Sequence, residues 1–230
     1  EYPEYKVEIP LVKKISVIEF ENLITGKIIK KEHVYLNEIK TIKTSNKKDL
    51  FYSLSKNKIN FDFNNNNLKI KKGEYLVSEN IVVPSNIKTI IEKGTKIKFK
   101  RNISILFKGS LVAKGSENEK IKISNYETNN PFGTFAVLGQ NKNINNVIIE
   151  NFEISGGSQA IIDGVLFLGQ LSIHNSNVKI SKSKIMQSKS DDGANIRNSN
   201  VNITNTVFKD NKFDQIDLDF CDGILENNIF

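Results

Sequence analysis

The chain has 230 residues, of which 38% are hydrophobic and 26% are charged, so it can bury a sizeable core and is not a disordered segment. Its formal net charge is +7, and no apolar run is long enough to cross a membrane, so the sequence predicts no membrane span. The single cysteine, Cys221, excludes an intramolecular disulfide framework and a multi-cysteine zinc site, and the distant histidines His33 and His174 disfavour histidine-based metal chemistry.

Positive charge is concentrated in the first part of the chain. Residues 1–100 contain 20 basic and 12 acidic residues, whereas residues 191–230 contain 3 and 8. The lysines are dispersed and there are only two arginines, Arg101 and Arg197, which favours solvated lysines on a strand-rich surface. We therefore expect no nucleic-acid partner, while an anionic surface or glycan stays open as an alternative.

The N-terminal region, residues 1–67, is predicted to be β-rich and has no recognisable repeat. Runs rich in β-branched and aromatic residues predict strands at 13–20 and 28–36, and residues 47–54 form the one short stretch with helical character. We expect residues 1–67 to form an N-terminal β cap, because the open end of a repeat exposes apolar side chains and unpaired strand groups.

The last third of the chain is repetitive, with a period of about 22–23 residues. Ser176-Asn177-Val178 recurs as Ser199-Asn200-Val201, and apolar positions continue in the same frame one repeat later. Upstream, the equivalent positions Ile149 and Ile180 are 31 residues apart, and this longer spacing predicts an extra loop within residues 156–176. The positions that we expect to be buried in stacked rows are Val178, Val201, Ile180, Ile203, Leu225, Ile185, Phe208 and Phe230.

A period of this length fits three short strands per coil, with coils stacked at about 4.8 Å. The fold class that we predict for residues 68–230 is therefore an all-β, right-handed parallel β-helix, a solenoid of about 22–23 residues per coil. Asparagine and aspartate tolerate left-handed backbone, so the series Asn177, Asn200 and Asp222 is predicted to occupy one turn of successive coils.

Two segments carry a resemblance to known proteins. The segment IIEKGTKIKFKRNISILFKGSLVAKGSENEKIKIS, residues 90–124, resembles the opening coils of bacterial right-handed parallel β-helix proteins of the pectin-lyase-like architecture. The segments DDGANI at 191–196 and DQIDLDF at 214–220 are similar to the β-helix region often joined to CotH-like kinase domains in surface proteins. No kinase motif is present in this chain.

One acidic cluster is the candidate site. Superposing residues 192–197 on residues 214–219, one coil later, pairs Asp192 with Asp214, Asn195 with Asp217, and Arg197 with Asp219. Strand alternation then points Asn195, Arg197, Asp217 and Asp219 outward on one sheet. Carboxylates two residues apart on one strand, such as Asp217 and Asp219, are about 7 Å apart and could share a calcium ion or bind a sugar.

Three interpretations of the cluster stay open. In the structural one, Arg197 pairs with Asp219, and Asp192 and Asp214 cap turn amides. The second is a glycan or calcium site, and the third is catalysis. The resemblance implies an outward sheet on which aspartates hold calcium and a basic residue activates the substrate. The adjacent Asp191 and Asp192 are similar to the aspartate pair of polygalacturonases, but the other motifs of that family are missing.

Two further side chains are predicted to be without a chemical role. Alternation with Leu171 and Ile173 places His174 on the outside, as a plain surface histidine. Cys221 follows a predicted strand, has no basic neighbour close in sequence, and is expected to be a buried or half-buried thiol.

The function that we predict is a non-catalytic surface or secreted module, acting as a scaffold or a glycan-binding spacer. The alternative is a polysaccharide lyase or epimerase that acts on an acidic glycan, because the fold hosts both. No cofactor other than calcium is expected, the expected partner is a polysaccharide, and the expected location is extracytoplasmic. The chain starts at Glu1 and stops at Phe230 partway through a coil, so we expect a preceding segment and a neighbouring domain or chain that covers the C-terminal coil.

Overall fold

The computed structural model describes residues 18–21, 28–31 and 46–230. The chain divides into two units, Glu1–Lys43 and Thr44–Phe230. In the first unit, β1 (Ile18–Glu21) and β2 (Ile28–Lys31) form an antiparallel pair, in line with the strands predicted there. The rest of that unit lies outside the described residues, so the predicted cap over residues 1–67 stays a prediction.

The second unit begins with a helix and a hairpin. Helix α1 (Lys47–Lys56) confirms the predicted helical stretch, and its first turn is capped by the side chain of Asn46, which accepts a hydrogen bond from the Asp49 amide at 3.0 Å. Strand β3 (Phe61–Asn64) pairs antiparallel with β4 (Asn67–Ile70). The two residues between them, Asn65 and Asn66, both have positive φ, as a tight two-residue hairpin turn requires.

Three parallel sheets make up most of this unit, and we number them I to III. Sheet I continues from β4 through β7 (Lys88–Ile91), β10 (Leu111–Lys114), β13 (Asn146–Glu150), β18 (Asn177–Ser181), β21 (Asn200–Thr204) and β24 (Asp222–Glu226). Sheet II contains β5 (Glu74–Val77), β8 (Lys96–Phe99), β11 (Ile121–Asn125), β14 (Phe152–Ser155), β19 (Lys184–Met186) and β22 (Val207–Lys209). Sheet III contains β6 (Ile81–Val83), β9 (Ile105–Phe107), β12 (Phe135–Leu138), β17 (Gly169–His174), β20 (Asp192–Arg197) and β23 (Ile216–Asp219).

The chain visits the sheets in a fixed order, from I to II to III and back to I, and we call each such passage a circuit. Within residues 67–226 there are six complete circuits, followed by β24. Each strand pairs in parallel with the equivalent strand of the next circuit. Val178 pairs with Val201 and Val201 with Gly223, so the repeat frame that the sequence predicted is confirmed as the register between strands.

The inward side chains of the three sheets form one apolar core. Six of the eight predicted positions are buried, namely Val178, Val201, Ile180, Ile203, Ile185 and Phe208. The prediction of burial is wrong for Leu225 and Phe230, which are 42% and 62% exposed. Both lie in the expected rows, because Leu225 pairs with Ile203 and the Phe230 ring stacks on Phe208 at 5.4 Å, but no described residue covers their far side.

Left-handed residues mark the corners between sheets. Asn151, Lys182, Asn205 and Asn227 have positive φ at the corner from sheet I to sheet II, and Asn175, Asn198 and Phe220 have it at the corner from sheet III to sheet I. The prediction that Asn177, Asn200 and Asp222 occupy a turn is wrong. These three residues begin β18, β21 and β24 and pair in register, because the bend occurs two residues earlier.

The predicted extra loop is a hairpin on the outer face of sheet III. Strands β15 (Ala160–Ile162) and β16 (Val165–Phe167) pair antiparallel between β14 and β17. Their side chains Ile162 and Phe167 form a second small core with Leu106 and Ala136 of sheet III. Part of this outer face is therefore closed by the hairpin. Among the described residues, the single helix is too short and too polar to cross a membrane.

Candidate functional site

The outer face of sheet III carries a row of polar side chains beyond the hairpin. We define the polar row as Ser172 and His174 on β17, Asn195 and Arg197 on β20, and Asp217 and Asp219 on β23. Parallel pairing aligns Ser172, Asn195 and Asp217 in one line and His174, Arg197 and Asp219 in the next. The predicted superpositions of Asn195 on Asp217 and of Arg197 on Asp219 are thus confirmed.

All members of the polar row except Ser172 contact another member through a polar bond. The Asn195 side-chain amide donates a hydrogen bond to Asp217 Oδ2 at 2.9 Å, and Arg197 Nε lies 3.0 Å from Asp219 Oδ2 in an ion pair. The imidazole Nε2 of His174 lies 3.3 Å from Asn195 Oδ1. Polar contacts thus join His174, Asn195 and Asp217 across three circuits. The separate Arg197–Asp219 pair that the structural interpretation predicted is also present.

Burial differs from the prediction at two of these positions. Asn195 is fully buried and His174 is only 9% exposed, so the prediction of a plain surface histidine is wrong. The reason is the hairpin, whose Phe167 ring packs against the imidazole with ring centroids 4.9 Å apart. Alternation along a strand gives the direction of a side chain, but it does not show what lies above the sheet. Asp217, Arg197 and Asp219 are partly exposed.

Asp192 is the most perturbed group at the site. It is 3% exposed, and its Oδ2 atom has no hydrogen-bond partner within the described part of the chain. Burial, together with the negative charges of Asp191, Asp217 and Asp214, raises its pKa to about 7. A carboxyl group in this state exchanges its proton near neutral pH.

The side chain of Asp214 makes fewer contacts than the sequence predicted. Its side chain is exposed, and its main-chain oxygen accepts a hydrogen bond from the Gly193 amide at 2.9 Å. Asp192 pairs with Gly169 of the preceding circuit, at the start of β20. Within residues 46–230 neither carboxylate caps a turn amide, so their charges act on the site through space. Their predicted role in binding stays a prediction.

Two other members of the row have shifted pKa values. Burial lowers the pKa of His174 and outweighs the opposing hydrogen bond with Asn195, while the charge of Arg197 lowers the pKa further, so the imidazole is neutral at pH 7. Burial also raises the pKa of Asp217, and the neighbouring Asp219 adds to the shift. The face therefore combines a neutral imidazole, an amide, a guanidinium and two carboxylates.

A calcium ion at Asp217 and Asp219 stays a prediction. Both carboxylates are already engaged, Asp217 by the Asn195 amide and Asp219 by Arg197. In the described residues no group of three or more histidine, cysteine, aspartate or glutamate side chains is placed to hold a metal ion. Calcium prefers six or more oxygen ligands, so binding here would require Arg197 to release Asp219.

The sequence did not reveal the network that fixes the start of the polar row. Gln170 accepts a hydrogen bond from the Gly157 amide at 3.0 Å and donates to the Met186 carbonyl at 3.0 Å. The side-chain nitrogen of Gln170 also lies 3.3 Å from Asn211 Oδ1, and Asn211 donates to the Gln215 side chain at 2.9 Å. The available signal was the unusual spacing before Ser176, which placed an insertion here but not these contacts.

Cys221 is half-buried against the core, which confirms the predicted burial of its thiol. Its sulfur lies 3.3 Å from the Ile196 carbonyl oxygen. Burial raises the pKa of the thiol, so it is mostly protonated at neutral pH and a poor nucleophile.

Comparisons with protein families, with curated proteins and with solved structures find no match for this chain.

Proposed function

We propose that the three parallel sheets form a right-handed parallel β-helix and that the chain is a non-catalytic surface or secreted module, a rigid scaffold that binds a glycan. The fixed order in which the chain visits the sheets, with equivalent strands paired in register from circuit to circuit, supports the solenoid. The observation that carries the binding function is the polar row, whose side chains the strand register holds side by side on one face.

The chemistry of the row suits sugar hydroxyl groups. The partly exposed guanidinium of Arg197 and the carboxylates of Asp217 and Asp219 lie beside one another, and together they offer donors and acceptors at the spacing of adjacent strands. Phe220 follows Asp219 at the next corner and is 82% exposed, so it offers an apolar surface next to the polar one. Binding sites typically combine apolar surface with a few fixed polar groups.

The test is the substitution Asp217→Asn, measured by calorimetric titration with oligosaccharides and, separately, with calcium. We expect weaker oligosaccharide binding by about tenfold, the loss of one charge-assisted contact, with the fold unchanged. Asp210→Asn is the matched control, because Asp210 is exposed, lies at a corner with φ of +56° and is not in the row. Equal binding by the two variants would remove the polar row as the glycan site.

A second candidate is a polysaccharide lyase or epimerase, and the buried Asp192 favours it. A carboxyl group with a pKa of about 7 near a second carboxyl group, Asp217, is suited to proton transfer. Incubation with uronate polymers decides between the two functions. The binding module predicts neither unsaturated products nor inverted sugars, whereas turnover that Asp192→Asn abolishes would establish the enzyme.

A further inference from the structure

A concave site lies at the corner between sheets I and II, away from the polar row. Between β10 and β11 this corner is the loop 115–120, whereas between β13 and β14 it is Asn151 alone. A cavity of about 410 Å³ lies where the long loop meets the short corners. We call it the Lys182 groove, and its polar lining includes Glu117, Lys120, Asn151, Lys182, Lys184 and Asn205.

The groove has an excess of positive charge. Lys120 is neutralised by Glu153, whose carboxylate lies 2.7 Å from its ammonium group and also 3.1 Å from Lys122. Within residues 46–230, neither Lys182 nor Lys184 forms an ion pair. Both side chains are exposed, so two ammonium groups line the cavity with their charges available to a ligand.

The backbone at Lys182 is unusual for a lysine. Its φ is +49°, and the equivalent residues of the adjacent circuits, Asn151 and Asn205, have φ of +47° and +50°. Asparagine adopts this left-handed conformation more readily than lysine does. Because asparagine satisfies the same corner in the circuits on both sides, the fold does not require a lysine there. Lys182 therefore departs from the residue type of this corner at the point where the corner lines the cavity.

We propose that the Lys182 groove binds the carboxylate of an acidic saccharide, with the ammonium groups of Lys182 and Lys184 holding the anion. The cavity volume falls within the range of small-ligand sites, and the exposed amide of Asn205 and the carboxylate of Glu117 can bond sugar hydroxyl groups. The described residues that line the groove include no aromatic side chain, which disfavours a nucleic-acid base that would need a stacking partner. This inference rests on the proposed glycan-binding function and names the class of glycan.

The test compares two lysine-to-asparagine variants in titrations with a uronate trisaccharide. Lys182→Asn removes the charge at the groove and restores the residue type found at the same corner in the adjacent circuits. Lys58→Asn is the matched control, because Lys58 is exposed, has φ of +52° and lies just after α1 at the other end of the stack. We expect Lys182→Asn to weaken binding about tenfold and to melt at the same or a higher temperature, and Lys58→Asn to bind like the wild type.

Further titrations identify the chemical class of the ligand. A neutral trisaccharide of the same linkage should bind without sensitivity to Lys182→Asn, and added salt should weaken uronate binding. Two outcomes would contradict the proposal that the Lys182 groove binds the saccharide. One is equal uronate affinity in the two lysine variants, and the other is a lower melting temperature of Lys182→Asn without any loss of binding. If inorganic sulfate binds as tightly as the trisaccharide, the saccharide is the wrong ligand.

Asp217→Asn separates this inference from the proposed function. Uronate binding that is lost in Asp217→Asn but kept in Lys182→Asn would leave the polar row as the glycan site and overturn the groove. The opposite pattern would support the groove and remove the polar row. No binding of either trisaccharide by the wild-type chain would overturn both.

Discussion

The two ends of the parallel stack are built from the same repeat, but they differ in what covers them. At the first end, α1 places Leu50 and Leu54 against the core with at most 1% of either side chain exposed. After the last complete circuit, Leu225 and Phe230 are 42% and 62% exposed, although they continue the same apolar rows. The repeat therefore sets which way a side chain points, while its burial depends on whether another layer follows.

The polar contacts at the two ends differ in the same way. Asn57, which follows α1, is 3% exposed and accepts hydrogen bonds from the Ser78 amide at 2.8 Å and the Glu79 amide at 3.3 Å. Asn228, in the last circuit, also bonds two main-chain groups, of Thr206 and Ile203, at 2.9 and 2.8 Å, but it is only partly buried. Water therefore reaches the side chain of Asn228 more readily than that of Asn57.

The largest expected effect comes from truncating one leucine at each end. Leu54→Ala should lower the free energy of unfolding by about 2–5 kcal/mol, because it leaves a cavity between the helix and the core. Leu225→Ala should lower it by less than about 1 kcal/mol, because its side chain is already 42% exposed. Urea denaturation measures both. Similar losses would show that the last circuit is covered in solution.

A smaller difference is expected for the two asparagines. Asn57→Ala removes the acceptor of the Ser78 and Glu79 amides and should lower the free energy of unfolding by about 1–3 kcal/mol, because the Asn57 side chain is only 3% exposed. Asn228→Ala should cost less, since water reaches the groups that it frees. Thermal unfolding of the two variants under the same conditions makes the comparison, and a greater loss for Asn228→Ala would contradict it.

The smallest expected effect is a dependence of stability on pH that arises near the open end. The folded-state pKa of Asp192, about 7, is above its ordinary value of 3.8, so the folded chain keeps a proton that the unfolded chain releases between these values. Stability that is present below pH 4 should therefore decrease as the pH rises to 7. Asp192→Asn should remove this decrease. Parallel pH profiles of the variant and the wild type would show that Asp192 does not titrate in this range.

Much of the parallel architecture could be predicted from the sequence. The recurrence of Ser176-Asn177-Val178 as Ser199-Asn200-Val201 indicated the strand register, because side chains at equal positions in a parallel stack must lie above one another. The same reasoning placed Asn195 beside Asp217. The corner residues were missed, since Asn175 and Asn198 are the left-handed ones and their side chains bond each other at 2.9 Å, while the more regular Asn177 and Asn200 are in strands.

The covering of the candidate site could not be predicted. The spacing before Ser176 indicated an insertion, but no periodic signal indicated that Phe167 would fold back onto His174. Long-range contacts of this kind depend on the three-dimensional path of one irregular segment, which has no repeat with which to compare it. The Lys182 groove was missed for the same reason, because it forms only where the loop at 115–120 meets corners that lie far along the sequence.

The open last circuit also has a consequence for kinetics. The strands of each circuit pair only with those of the neighbouring circuits, so unfolding can proceed one circuit at a time, and the amide hydrogens of β22, β23 and β24 should exchange with solvent before those near α1. The polar row spans β17, β20 and β23 and thus joins the last complete circuit to more protected ones. A molecule bound across the row would hold these three strands together. Its residence time would then set the rate at which the last circuits unfold locally.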